Sequence, residues 1–122
     1  ITAEPLTPGP ITAMIIGSIG AVIMYYGTKL LENFGLDDVV GAIPVHMFAG
    51  IFGTLVVPLT NADTSFGTQL IGVISVCVFS FVLSWITFST LKSTVGLRIS
   101  RAAEKQGTDK AEVGVIAYSI RD

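Results

Sequence analysis

The sequence predicts an all-α membrane protein in which three transmembrane helices precede a polar tail. Hydrophobic residues make up 51% of its 122 residues and charged residues only 13%. Its mean hydropathy of +0.74 is too high for a soluble globular domain. Asp, Glu, Lys and Arg are absent from residues 5–28, 39–62 and 64–91. Each of these segments exceeds the roughly 20 apolar residues that cross a bilayer as a helix, so each is expected to span it once.

The first helix is predicted over residues 11–31. Pro8 and Pro10 mark its entry, since proline is tolerated at the start of a helix but not in its interior. Small residues form a stripe along the helix, which in membranes lets two helices approach closely. The residues of this stripe are Gly17, Gly20 and Ala21.

The second helix is predicted over residues 39–59 and the third over residues 69–91. Asp37 and Asp38 immediately precede the second helix. A carboxylate at this place can accept hydrogen bonds from the first backbone N–H groups and favours the positive end of the helix dipole. We therefore expect these two residues to cap the second helix.

The tail, residues 92–122, is predicted to be cytoplasmic, and residues 1–91 are predicted to form the membrane domain. Basic residues concentrate on the cytoplasmic side of membrane proteins, and the loop around Asp63 contains none. The protein is therefore expected to lie in the cell membrane as a multi-pass protein in contact with the lipid bilayer. The basic residues of the tail are Lys92, Arg98, Arg101, Lys105, Lys110 and Arg121.

Composition also excludes several classes of function. The net charge of -2 offers no basic surface for nucleic acid. A single cysteine, Cys77, forms neither an intrachain disulfide nor a cysteine-based metal cage. The single histidine, His46, has no nearby cysteine or carboxylate for a metal site and no partner in these spans for a nucleophilic triad. We therefore expect that the protein has no catalytic residue, no metal site and no cofactor, and that it is not an enzyme.

The residue that stands out is His46, which lies among apolar and small residues in the stretch GAIPVHMFAGIFGT. If the second helix starts at Asp38, a rise of about 1.5 Å per residue places His46 roughly 12 Å deep, near the middle of the bilayer. An ionisable side chain at that depth is costly, so a function is the first hypothesis for it. The alternative is a hydrogen-bonded histidine within closely packed helices.

Helical spacing predicts several small neighbours on the same side of the second helix as His46. Small neighbours leave room either for another helix or for a narrow path beside the imidazole. Desolvation favours the neutral ring, whose ordinary pKa is about 6.5, so the ring could exchange a proton with a small cation in such a path. The residues predicted to share this side are Ala42, Ile43, Ala49, Gly50 and Gly53.

The segment DDVVGAIPVHMFAGIFGTLVVPL resembles the penultimate transmembrane helix of ammonium transporters of the Amt/Mep/Rh superfamily. Its Asp-Asp, Val-His and Gly-x-x-Gly-Thr elements occur in the family's order and spacing. The segment ITAEPLTPGPITAMIIGSIGAVI resembles the ninth helix of that family, QLIGVISVCVFSFVLSWITFSTLKSTVGLRIS the eleventh, and GTDKAEVGVIAY the close of its cytoplasmic tail. The resemblance covers nearly the whole chain.

This resemblance implies that the chain holds the last three transmembrane helices of an eleven-helix ammonium transporter fold, followed by a cytoplasmic tail, and that the protein is a homotrimer. It implies that His46 is the second of the family's twin pore histidines. Ammonium would be deprotonated and conducted as ammonia through an apolar pore, with Ile43 and Met47 as pore or packing neighbours. The chain also lacks an initiator Met and a signal peptide, so we expect it to be the end of a longer protein.

The sequence departs from the family in the second helix and in the tail. Pro44 and Met47 stand where many members have small residues, and the missing N–H of Pro44 could bend the helix. In the tail, RAAEKQ and AEVGV differ from the segments through which PII-type signalling proteins can control transporters. The tail could instead lead into a fused signalling domain, which makes an ammonium sensor the alternative function. A solvated tail without a partner and a three-helix accessory subunit are further alternatives.

Overall fold

The computed structural model describes residue 4 and residues 6–116. This part of the chain is mostly helical and contains no β-strand, so the predicted all-α class is confirmed for it. The chain divides into two units, Ile1–Phe79 and Ser80–Asp122. The helices in chain order are α1 (Pro10–Asn33), α2 (Ile43–Leu59), α3 (Phe66–Thr94), α4 (Arg101–Gln106) and a short π-helix, Asp109–Val113.

Two of these helices, α1 and α3, are long and apolar enough to cross a membrane. The apolar helix α2 is shorter and lies at the lower limit of about 17 residues for a transmembrane helix. The structure therefore agrees with membrane-spanning helices at the first and third predicted positions. The second span stays a prediction.

The start of α2 is fixed by Asp38, which lies before it in a turn. Asp38 Oδ1 accepts a hydrogen bond from the Ala42 N–H at 2.9 Å, and Oδ2 accepts one from the Ile43 N–H at 2.7 Å. Gly41, with a φ of +68°, takes the left-handed conformation that favours glycine. The predicted cap is thus confirmed for Asp38.

The late start of α2 corrects the helical path assumed between Asp38 and His46. The estimate of roughly 12 Å assumed a continuous helical rise from Asp38. Residues 38–41 are not helical, because they form the turn that Asp38 caps. His46 therefore lies in the first turns of α2 rather than two turns inside it.

Helices α1 and α2 pack against each other along a seam of small residues. Small side chains allow two helix backbones to approach closely, and the contact depends on van der Waals packing. Of the predicted stripe, Gly20 is buried, Gly17 is half-buried and Ala21 is exposed. The buried residues of the seam are Gly20, Gly27 and Leu31 on α1, and Pro44, Ala49, Gly53 and Val57 on α2.

A hydrogen bond ties the entry of α1 to the exit of α2. The side-chain amide of Asn61 donates to Glu4 Oε2 at 2.8 Å, and the backbone N–H of Leu6 donates to Glu4 Oε1 at 3.0 Å. The bond from Asn61, followed by those from the backbone, lowers the pKa of Glu4 below its ordinary value, because these donors stabilise the charged carboxylate. Residues 57 positions apart in the chain are thereby held together.

Helix α3 buries none of its residues. Its large apolar side chains face outward, and Phe81 and Trp85 are examples at 72% and 65% exposure. A surface of this size and composition marks a helix that faces lipid or other protein. Cys77 of this helix is half-buried and has a free thiol.

In the second unit, two short helices follow α3 within residues 95–116. Ser100 caps α4, since its Oγ accepts a hydrogen bond from the Ala103 N–H at 3.2 Å. Arg98 and Glu104 form an exposed ion pair beside this cap. The structure thus gives the described part of the tail local helical order.

Candidate functional site: the histidine turn of α2

His46 lies in a π-helical turn, Ile43–Phe48, at the start of α2. The Ala49 N–H donates to the carbonyl oxygen of Pro44, five residues earlier. A regular α-helix would join residues four apart, and isolated π turns within helices are frequent at functional sites. From Ala49 to Val56 the helix is a regular α-helix.

The π turn decides which side chains face α1. Since a π-helix has about 4.4 residues per turn and joins residues five apart by a hydrogen bond, Pro44 and Ala49 lie near the same face, and both are buried. His46 follows Pro44 by two residues, about half a π turn, and is therefore exposed on the opposite face. Relative to Ala49, the π turn rotates His46 roughly 50° further from the seam than a regular α-helix would.

The structure separates the residues that helical spacing placed with His46. Ala49 and Gly53 are buried, so their predicted place on the side of His46 is wrong. The reason is the π turn, because the prediction assumed 3.6 residues per turn throughout. Ala42 is exposed, and Ile43 and Gly50 are half-buried.

The two candidate pore neighbours of His46 differ in exposure. Met47 is 44% exposed, on the outer side of the turn, whereas Ile43 is half-buried. Val45, which directly precedes His46, is also exposed, at 42%. The surface around His46 is therefore apolar and open.

Within residue 4 and residues 6–116, the imidazole of His46 makes no hydrogen bond. The carboxylate nearest in sequence, Asp38, is engaged by the N–H groups at the start of α2. Over the same residues, no three His, Cys, Asp or Glu side chains come close enough to hold a metal ion. Chemically, the site is one imidazole with two ring nitrogens, one able to donate and one able to accept a hydrogen bond in the neutral form.

Sequence reasoning missed the contact that seats the π turn on α1. Gly27 is buried at the point where Pro44 and Phe48 meet α1. The sequence does contain a signal for this contact, because Gly27 follows Gly20 by seven residues. Residues seven apart lie on the same side of an α-helix, two turns from each other. Gly27 extends the small-residue stripe of α1 towards the histidine turn.

Two tyrosines near the end of α1 lie beside a lysine. The rings of Tyr25 and Tyr26 meet edge to face with centroids 5.3 Å apart. Lys29 Nζ lies 4.5 Å from the centroid of the Tyr25 ring, within the range of a cation–π contact. Tyrosine and lysine in this arrangement are typical of a membrane–water boundary.

Comparison with known proteins assigns the family. The family model described as Ammonium Transporter Family matches residues 1–118. The chain is 35% identical to the ammonium transporter Amt2 of Archaeoglobus fulgidus over 97% of the chain and 30% of that protein. It is 33% identical to the putative ammonium transporter sll1017 of Synechocystis sp. over 93% of the chain and 26% of that protein.

A third relative is the ammonium transporter Amt1 of Methanocaldococcus jannaschii. The identity is 35%, over 90% of the chain and 30% of that protein. The chain thus spans less than a third of the length of each of these three curated relatives. The match of the family model over nearly the whole chain shows that this chain belongs to the ammonium transporter family.

Proposed function

We propose that the chain is part of a membrane protein that transports ammonium, and that His46 handles the proton of the substrate. The observation that carries the proposal is the position of His46. It is exposed on an apolar face, at a π turn, in a chain of the ammonium transporter family. The relatives' names state ammonium transport, which supports the same substrate here.

The chemistry follows from the cost of moving a charge through an apolar path. Removing an ammonium ion from water into such a path is far more costly than removing neutral ammonia. A group that receives the proton lowers this cost, and neutral imidazole accepts a proton near neutral pH. In this proposal ammonium loses its proton and passes as ammonia beside His46, with Ile43 and Met47 as apolar walls.

The pore itself requires more protein than this chain provides. The chain spans only 20–30% of the length of its relatives, and the face of α2 that carries His46 is open. We propose that α1, α2 and α3 are the last three of eleven transmembrane helices and that the whole protein is a homotrimer in the cell membrane. The exposed apolar surface of α3 supports packing against lipid or further helices.

The proposal divides the chain into a membrane domain and a tail. Residues 1–91 form the membrane domain and residues 92–122 a cytoplasmic tail, with the basic residues of the tail on the inner side. A PII-type regulator or a fused signalling domain would act through this tail. Residues 117–122 lie outside the described part of the chain.

Uptake of labelled methylammonium tests the proposed transport. The full-length protein is produced in cells that lack their own ammonium transporters, and uptake is compared with cells that carry an empty vector. We expect uptake above the vector control, and unlabelled ammonium should compete with it. Protein present in the membrane without any uptake would contradict transport and favour the ammonium sensor.

A further inference from the structure

We propose that Gly27 of α1 is a positioning residue for His46, acting through the π turn of α2. The inference rests on the proposed role of His46 and goes beyond it, since it assigns the orientation of the imidazole to a residue on a different helix. Gly27 touches neither the imidazole nor, in this proposal, the substrate. It acts by leaving space for the two side chains that seat the turn.

The contact at Gly27 leaves no room for a side chain. A Cβ atom at this position would lie 2.6 Å from Cδ2 and 3.1 Å from Cε2 of the Phe48 ring, and 3.1 Å from Cβ of Pro44. Carbon atoms in ordinary contact are about 3.5–4.0 Å apart. Pro44 and Phe48 therefore pack directly onto the backbone of α1.

The two obstructing side chains differ in their freedom to move. Phe48 borders an open groove of about 600 Å³ between α1 and α2, so its ring has space on one side. Pro44 is fully buried, and its Cβ belongs to a ring closed on the backbone. A methyl group at Gly27 is therefore accommodated only if the backbone of the π turn or that of α1 shifts by a few tenths of an ångström.

Movement of this backbone changes the direction of His46. The π turn keeps Pro44 and Ala49 on the buried face and His46 on the open face. If Pro44 is forced away from α1, the turn loses the contact that holds this register. A return to regular α-helical winding would bring His46 roughly 50° closer to the seam, but would leave Met47 on the open face.

Thiol labelling of the full-length protein tests the orientation without relying on transport. In a full-length background in which Cys77 and every other cysteine are replaced, cysteine is introduced by His46→Cys or, as the matched position, by Met47→Cys, and a small neutral thiol reagent is applied. We expect Gly27→Ala to slow labelling of the His46→Cys variant at least fivefold relative to the Met47→Cys variant. An unchanged ratio, or no labelling of the His46→Cys variant with Gly27 in place, overturns the proposal.

Methylammonium uptake supplies the functional readout. We expect Gly27→Ala to reduce uptake at least tenfold at equal protein in the membrane. The control is Gly72→Ala, because Gly72 is also a helical glycine but, among the described residues, an added Cβ would meet no atom within 4 Å beyond its chain neighbours and its own helix backbone. Gly72→Ala should transport as the wild type does.

A double variant separates positioning from general damage. If Gly27 acts through His46, adding Gly27→Ala to His46→Ala should cause little further loss, since the two changes then affect one interaction. If the fold loss of uptake in the double variant equals the product of the two single-variant losses, Gly27 acts independently of His46, and the proposal is overturned. If the wild type itself shows no uptake, the proposed function fails, while the labelling ratio still decides the orientation.

Discussion

The cap at the start of α2 gives a stability prediction that follows from two distances. Asp38→Ala removes the acceptors of the Ala42 and Ile43 N–H groups, which lie 2.9 and 2.7 Å from its carboxylate. The charge of the acceptor strengthens both bonds, but solvent weakens them because the Asp38 side chain is only half-buried. We therefore assign about 1 kcal/mol to each bond. The total of about 2 kcal/mol corresponds to a roughly 30-fold shift towards opening of the first turn.

Amide hydrogen exchange of the full-length protein measures this shift at the residues concerned. We expect exchange at Ala42 and Ile43 to accelerate by roughly 30-fold in Asp38→Ala. Asp37→Ala is the matched control, because Asp37 is exposed and makes no hydrogen bond within the described part of the chain. Equal acceleration in both variants, or none in Asp38→Ala, would refute the assignment of the cap.

Two further predictions concern the ends of the chain. Asn61→Ala should raise the pKa of Glu4 towards its ordinary value, because the largest cause that lowers it is the bond from Asn61. In the wild type this contact stabilises the fold fully above about pH 4.3, and the contribution is lost as the pH falls through the lowered pKa of Glu4. Titration of the Glu4 carboxyl carbon by NMR measures both effects, and an unchanged pKa in Asn61→Ala would contradict the assignment. In the tail, Ser100→Ala should cost α4 about 1 kcal/mol, whereas Arg98→Ala should cost less than about 0.5 kcal/mol, since its side chain is 80% exposed. Amide exchange at Ala103 compares the two, and a larger effect of Arg98→Ala would contradict this ranking.

The sequence predicted those features of the fold that depend on composition and local chemistry. Charge-free segments predicted apolar helices, and the structure has helices of membrane length at α1 and α3. Asp38 was predicted to cap the second helix because a carboxylate before a helix accepts its first N–H groups. Each of these predictions needs only the identity of neighbouring residues along the chain.

The arrangement around His46 could not be predicted in the same way. Helical periodicity assumes 3.6 residues per turn, so it placed Ala49 and Gly53 beside His46, whereas the π turn moves them to the buried face. Pro44 and Phe48 of this turn meet Gly27 of another helix, and we propose that this contact holds the π turn. A tertiary contact of this kind leaves only the recurrence of glycine along α1 as its trace in the sequence.

The central claim is that His46 handles the proton of ammonium, and one comparison of uptake rates tests it most directly. Methylammonium uptake is measured for the full-length wild type, His46→Ala and the control Cys77→Ala, each at equal protein in the membrane. A proton-transfer group typically contributes a factor of about 100 or more, so we expect His46→Ala to lose at least about 99% of the uptake while Cys77→Ala retains it. Uptake by His46→Ala at the wild-type rate would contradict the claim.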